Sequence, residues 1–164
     1  MNNKYVGELG EETVARILKN KGFRIIARNF GVHNVGEIDI AAVNDDKLLI
    51  VEVKTRHKRN VGKNYPIENS VGYKKRFKVK KTADYLIEKY KLYNLNIYFL
   101  SAFVTYNSGG LIQNVEFESF LWNFVDVFLH INYNNTGFYK DFCIKNEFLK
   151  FLTLKNDGGT DEKL

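Results

Sequence analysis

The stretch GEIDIAAVNDDKLLIVEVKTR, residues 36–56, decides the fold because it alternates apolar and polar residues as two strands of a sheet do. A two-residue loop at Asp45 and Asp46 would join these strands into an antiparallel hairpin in which Asn44 faces Lys47. The register of the whole hairpin then follows by counting outward from this loop. We therefore expect residues 36–56 to form two neighbouring strands.

Counting outward brings charged residues together on one face of the hairpin. Asp39 then lies opposite Glu52, and Glu37 lies opposite Lys54. Directly opposed residues have β-carbons about 5 Å apart, so these two carboxylates would repel each other and need compensation from a divalent cation or from Lys54. A solvated outer face is the alternative that the spacing leaves open. The other face of the hairpin would carry Ile38, Ile40, Val51 and Val53.

The segment GELGEETVARILKNKG, residues 7–22, predicts a helix before the hairpin, with acids in its opening turn and Gly22 at its end. Glu11 shares a helical stripe with apolar residues that should be packed, which is unexpected for a carboxylate. Glu11 is therefore either an acid at the rim of the stripe or a third acid directed at the cation. Glu8 and Glu12 lie off the stripe and should face solvent. The apolar members of the stripe are Val14, Ala15 and Leu18.

The remaining segments predict an α/β protein with the element order α-β-β-β-α-β-β. FRIIARNF predicts a strand before the hairpin, and RHKRNVGKNYPIENS predicts an exposed loop after it that contains the only proline, Pro66. VGYKKRFKVKKTADYLIEKYKL returns to helical spacing, and LNIYFLSAFVTY and LIQNVEFESF predict the last strands. The stripe that this second helix should bury consists of Val79, Ala83, Leu86 and Tyr90.

Positive charge is concentrated in the middle of the chain. The formal net charge is +6, and between Lys54 and Lys81 eleven basic residues stand against one acid, Glu68. A run of this kind is often only the solvated face of a helix. Because it directly follows the acidic hairpin, it also favours a polyanionic partner, most simply nucleic acid.

Composition excludes several classes of site and location. The polar start MNNKYVGELG lacks the apolar core of a signal peptide, and no apolar run reaches the roughly 20 residues that span a bilayer. We therefore expect a cytoplasmic protein with no membrane partner. Cys143 is the only cysteine, which excludes an internal disulfide and a thiolate zinc cage, and the three histidines show no ligand spacing. A metal would have to be held by oxygen atoms.

The arrangement of Asp39, twelve residues and then Glu52-Val53-Lys54, preceded by an acid on the first helix, resembles the PD-(D/E)xK nuclease superfamily. The motifs GEIDI, VEVKTR, ARNF and SVGYKKRFKVKKTADYL more closely resemble the YraN-like family of small, largely uncharacterised endonuclease-like proteins, over about residues 5–120. This resemblance implies a restriction-endonuclease-like fold, a mixed sheet flanked by helices with the acids on adjacent central strands.

The resemblance also implies roles for single residues. Asp39 and Glu52 would coordinate Mg²⁺ or Mn²⁺, and Glu11 would complete or orient the site through a water molecule. Lys54 would position the attacking water or stabilise the charge that develops on the phosphate. Glu37 belongs to the family motif and would pair with Lys54.

A nuclease also needs contacts with its substrate's backbone. Lys75 follows Ser70 at the family's spacing. The residues expected to contact phosphates without reading base sequence are Arg56, Lys74, Lys75, Arg76 and Lys78. The implied function is a metal-dependent nuclease acting on DNA, with branched or damaged DNA in repair or recombination as the expected substrate. A homodimer would suit cleavage of both strands, although the sequence shows no interface.

Two departures from the family keep alternatives open. Family members usually carry an Asp in the fourth strand where this chain has Leu100, and residues 121–164 extend beyond the usual end of the family. We therefore divide the chain into an endonuclease-like domain, residues 1–120, and an aromatic-rich extension, residues 121–164, with a flexible tail from about 156. The alternatives are a noncatalytic nucleic-acid-binding module with a nuclease-like fold and an interaction scaffold that uses the aromatic extension.

Overall fold

The computed structural model describes residues 3–60 and 72–119, together with residues 152, 154 and 155. These residues form two helices, six strands and a short 3₁₀ turn at Lys58–Asn60. The helices are α1 (Asn3–Asn20) and α2 (Tyr73–Tyr90). The strands are β1 (Arg24–Val32), β2 (Gly36–Asn44), β3 (Lys47–His57), β4 (Asn96–Tyr106), β5 (Ile112–Ser119) and β6 (Leu154–Lys155).

The strands form one mixed sheet in the order β1-β2-β3-β4-β5-β6. Strand β3 runs parallel to β4, and the other neighbours are antiparallel. The parallel pair is consistent with α2 lying between β3 and β4 in sequence, because parallel strands need a crossover connection. The predicted α/β fold and the order α-β-β-β-α-β-β are confirmed, and the two-residue β6 adds a last strand.

A hydrophobic core lies on each face of the sheet. The α1-side core packs α1 residues such as Val14 and Leu18 against apolar residues of the sheet. The α2-side core does the same with α2 residues such as Val79 and Leu86. The central strands are buried on both faces, which explains their long apolar runs.

The register of the β2–β3 hairpin agrees with the prediction only near its loop. Asn44 pairs with Lys47 as expected, and the pairing continues as far as Ile40 with Val51. It does not extend to the predicted pairs of Asp39 with Glu52 and of Glu37 with Lys54, which were therefore wrong. The reason is that the two strands separate beyond Ile40.

The alternation of side chains also changes at Asp39. Ile38 packs in the α2-side core together with Ala41, whereas Ile40 packs in the α1-side core. The β1–β2 register omits both Asp39 and Asn29, and Asn29 has a positive φ of 47°. Because this irregularity interrupts the two-residue period, the prediction that Ile38 and Ile40 share a face was wrong.

Helix α1 begins earlier than the sequence indicated. It starts at Asn3, so the acids expected in its opening turn lie farther along the helix. Its end was predicted correctly: Gly22 has a φ of 86°, and the N–H of Phe23 donates to the carbonyl of Leu18 at 2.9 Å. Helices often end in this way at a glycine, because the conformation lets backbone N–H groups hydrogen-bond to the last carbonyls of the helix.

A close approach at Gly10 brings α1 onto β3. A Cβ atom at this position would overlap the hydroxyl oxygen of Thr55. Only glycine permits this distance between helix and strand. The contact holds Glu11, the next residue of the helix, beside the strand that carries Glu52.

Helix α2 buries most of the predicted stripe. Val79, Ala83 and Leu86 are fully buried, as predicted. Tyr90 remains 40% exposed and lies beside Phe30, with 6.4 Å between ring centroids, so its expected burial was wrong. Tyr90 occupies the last position of the helix, at the edge of the sheet contact.

Some expectations concern segments that the structure describes only in part. The loop expected after the hairpin begins later, because β3 runs through His57, and residues 61–70 of that loop lie outside the described residues. Most of residues 121–164 also lie outside them, including the tail expected from about 156. Leu152 is buried in the α1-side core, and β6 pairs with β5. The division at residue 120 stays a prediction.

Neither described helix is long and apolar enough to cross a membrane.

Candidate active site

The charged residues of the hairpin meet where β2 and β3 separate. Asp39 lies on β2, one residue beyond the last paired residue, and Glu52 and Lys54 lie on β3. Lys75, in the first turn of α2, reaches the same place from the α2 side of the sheet. Three separate elements therefore supply four charged side chains to one site.

Glu52 is the centre of this site, and its carboxylate is almost completely buried, with 1% of the side chain exposed. Its Oε2 atom forms an ion pair with Lys54 Nζ at 3.5 Å and a closer one with Lys75 Nζ. Neither oxygen accepts a hydrogen bond of ordinary geometry within the described residues, and both ion pairs are formed through Oε2. Buried carboxylate oxygens are normally satisfied, so Oε1 is a coordination position that the described side chains leave open.

The acid and its two lysines shift one another's protonation. Burial raises the pKa of Glu52, and the negative charge of Asp39 raises it further, while Lys75 and Lys54 lower it in part. Burial lowers the pKa of Lys54, and the neighbouring Lys75 ammonium adds to that effect. Burial would also lower the pKa of Lys75, but its contact with the Glu52 carboxylate outweighs this and raises it. Lys75 is therefore the more firmly charged partner of Glu52.

Asp39 is fixed by the backbone of the neighbouring strand. Its Oδ2 accepts a hydrogen bond from the N–H of Val53 at 2.7 Å. Its charge raises the pKa of both Glu52 and Glu11, so the three acids share one electrostatic environment. The predicted proximity of Asp39 to Glu52 is therefore found, although the two residues are not a ladder pair.

Glu11 lies at the border of this site. It is only partly exposed, and burial raises its pKa, against an opposing hydrogen bond from Asn29. Arg28 lies 3.9 Å from its Oε2 but pairs more closely with Glu12, at 2.5 Å. Glu11 is thus on the α1 stripe, as predicted, with Arg28 on one side and Asp39 on the other.

These residues fit a divalent cation held mainly by two acids. Within residues 3–60, 72–119 and the three described residues near the C-terminus, no three Asp, Glu, His or Cys side chains form a group that could hold a metal. Glu11 is therefore not gathered into one ligand set with Asp39 and Glu52. The open Oε1 of Glu52, with the charge of Asp39 nearby, still offers hard oxygen donors of the kind that Mg²⁺ and Mn²⁺ prefer.

Glu37 lies outside the charged site. The ion pair of Lys54 is with Glu52, so the expected pair of Glu37 with Lys54 was wrong. Glu37 is exposed and lines an open groove of about 570 Å³ between the β1–β2 turn and Lys78 of α2. The separation of the strands beyond Ile40 accounts for the difference.

Leu100, which stands where relatives were expected to carry an acid, packs in the α1-side core and is fully buried. It pairs with Val51, whereas the β4 residue beside Glu52 is Ser101, which is also buried. An acid at position 100 would therefore enter an apolar core instead of the site around Glu52. Neither this position of Leu100 nor that of Ser101 was foreseen from the sequence.

The basic residues expected to bind phosphates fall into three groups. Lys75 faces Glu52, whereas Lys74 and Lys78 are exposed on α2. Arg56 and Arg76 are partly buried. Helical spacing could have identified Lys75, because it precedes Val79 by four residues and so extends the buried stripe toward the sheet.

Sequence comparisons place the chain that forms this site in a family. The model of the Uncharacterised protein family UPF0102 matches residues 10–104, which include all four residues of the site. A UPF0102 protein of Dictyoglomus turgidum is 38% identical over 117 residues, 71% of this chain and 96% of the relative. One of Clostridioides difficile is 42% identical over 99 residues, 60% of this chain and 83% of the relative. One of Clostridium acetobutylicum is 40% identical over 97 residues, 59% and 76% of the two chains.

Proposed function

The chain belongs to the uncharacterised protein family UPF0102, and we propose that it is a metal-dependent nuclease that hydrolyses phosphodiester bonds in DNA. The observation that carries the proposal is the buried Glu52 carboxylate, with one open oxygen, next to Asp39 and Lys54. A purely structural acid in such a position would be expected to have both oxygens satisfied.

The acids would bind the metal, and Lys54 would act on the attacking water or on the phosphate. Asp39 and Glu52 would bind Mg²⁺ or Mn²⁺ directly, and Glu11 would contribute through a water molecule, because it lies at the border of the site. Bound metal supplies a water of lowered pKa and a positive charge against the phosphate oxygens. Lys54, held 3.5 Å from Glu52, would orient the attacking water or stabilise the negative charge of the transition state.

The surface around the site would suit contacts with the phosphate backbone of DNA. Lys74 and Lys78 project from α2 into solvent on the same helix that carries Lys75. Such lysines contact phosphates without distinguishing bases. We therefore propose recognition of DNA structure over base sequence, with branched or damaged DNA as the substrate class.

Two observations favour a second candidate, a noncatalytic DNA-binding module. Two ammonium groups already compensate Glu52, and no three-residue ligand group is found in the described part of the chain. A site that has lost its metal could keep the same fold and the same basic helix. The two candidates differ in turnover, which a cleavage assay measures directly.

The test is cleavage of labelled duplex, single-stranded and four-way-junction DNA by purified protein with Mg²⁺, Mn²⁺ or EDTA. Glu52→Gln and Lys54→Met should abolish cleavage, while Glu37→Gln, an exposed change on the adjacent strand, should leave it unchanged. DNA binding without cleavage under either metal would overturn the nuclease and leave the binding module. Cleavage that persists in EDTA or in Glu52→Gln would show that another activity is responsible.

A further inference from the structure

The two lysines on Glu52 differ in how firmly they are held. Lys54 belongs to a central strand, and its side chain is 25% exposed, whereas the side chain of Lys75 is 45% exposed. Glu52 itself is 1% exposed. Lys75 therefore approaches a buried acid from the solvent side.

Lys75 can leave this contact without any movement of the backbone. The N–H of Lys75 donates to the carbonyl of Gly72 at 2.9 Å, and α2 is packed on the sheet through Val79, Ala83 and Leu86. The helix is thus anchored. The ammonium lies at the end of a flexible four-carbon chain that already borders solvent, so bond rotations within the side chain are sufficient for its release.

Lys75 and a divalent cation would compete for Glu52 because both are positively charged. Two ammonium groups and a divalent cation would place four positive charges around one buried carboxylate, with Asp39 as the other nearby acid. Like charges at such distances in a poorly solvated site repel strongly. One ammonium must withdraw when the metal binds, and the more exposed Lys75 is the one that can do so.

We propose that Lys75 is a tethered counter-cation, which neutralises Glu52 in the metal-free protein and moves out to a DNA phosphate when a divalent cation takes its place. The inference rests on the proposed metal site and assigns Lys75 the positioning role of coupling metal to substrate. Because a phosphate would draw Lys75 away from Glu52, DNA should tighten metal binding, and metal should tighten DNA binding by the same factor.

The first test measures Mn²⁺ binding alone by electron paramagnetic resonance at pH 8, without DNA. Lys75→Met removes the competing charge and should bind Mn²⁺ about threefold to tenfold more tightly than wild type, the range expected when one ammonium no longer pairs with a carboxylate. Lys74→Met is the matched control, since the neighbouring Lys74 is exposed and has no contact with Glu52, and its affinity should equal that of wild type. Lys75→Arg keeps the charge and should also stay near wild type.

The second test needs no variant and therefore does not depend on the folding of Lys75→Met. Wild-type protein is treated with an amine-acetylating reagent with and without Mg²⁺, and labelling of Lys75 and Lys74 is compared by peptide mass spectrometry. Magnesium should increase labelling of Lys75 and leave Lys74 unchanged.

The outcomes separate this inference from the proposed function. Equal Mn²⁺ affinity in wild type and Lys75→Met, with binding abolished in Glu52→Gln, would overturn the role of Lys75 and leave the metal site standing. Unchanged labelling of Lys75 at saturating Mg²⁺ would overturn it as well. Absence of Mn²⁺ binding in every variant would overturn both the metal-dependent function and the inference.

Discussion

The Oδ2 atom of Asp39 accepts a hydrogen bond from the backbone N–H of Val53 at 2.7 Å, across the gap where β2 and β3 stop pairing. A side chain thus satisfies a main-chain donor that a continued ladder would otherwise use. The same contact holds the carboxylate next to Glu52. The hydrogen bond from Val53 to Asp39 therefore accompanies the separation of the two strands and also sets the position of the acid.

Substitutions of Asp39 should separate its structural role from its chemical role. Asp39→Asn keeps a side-chain acceptor for Val53 and should change the free energy of unfolding by less than about 1 kcal/mol. If the proposed nuclease function is right, it should also lower DNA cleavage by at least about 100-fold, because it removes a charge proposed to bind the metal. Asp39→Ala leaves the part-buried N–H unpaired and should cost about 1–3 kcal/mol. Urea denaturation and the cleavage assay measure the two effects. Equal stability of the Asn and Ala variants would contradict the structural role.

The contact of α1 with β3 predicts opposite effects at two glycines of one helix. Gly10→Ala should destabilise the protein by about 1–3 kcal/mol, because its methyl group would overlap Thr55. Gly7→Ala meets no atom within 4 Å and should stabilise by about 0.5–1 kcal/mol through the helix preference of alanine. Thermal unfolding of both variants gives the comparison. Adding Thr55→Ala should rescue Gly10→Ala, and a failure of this rescue would contradict the assigned clash.

The buried position of Leu100 predicts that restoring the acid expected in relatives will not improve the site. Leu100→Asp places a carboxylate in the α1-side core and should destabilise the protein by more than about 3 kcal/mol without raising cleavage. Leu100→Ala is the control for the removal of packing alone and should cost about 2–5 kcal/mol. The difference between the free energies of unfolding of the two variants, measured by urea denaturation, gives the cost of burying the carboxylate. Higher cleavage by Leu100→Asp at unchanged stability would show that position 100 faces the site.

The sequence could predict the elements and their order because local periodicity determines them. It also indicated Asp39, Glu52 and Lys54 as partners, from an assumed two-residue hairpin loop and from the resemblance to a nuclease family. It could not reveal that the ladder ends at Ile40, because this depends on a side chain that replaces a backbone acceptor. The contact of Lys75 with Glu52 also depends on how α2 lies on the sheet, which is set by packing between elements distant in sequence.

The exposed lysines of α2 predict a measurable salt dependence of DNA binding. Reversing Lys74 and Lys78 together to Glu should weaken DNA binding and reduce the slope of log affinity against log salt by roughly 1.8, about 0.9 for each phosphate that is no longer neutralised. The matched control reverses Lys19 and Lys91, which are also exposed but lie at the C-terminal ends of α1 and α2, and so changes the net charge by the same amount. Fluorescence anisotropy at several salt concentrations measures both slopes. If the control lowers affinity and slope as much as the Lys74 and Lys78 reversal does, net charge alone explains binding and α2 is only a solvated face.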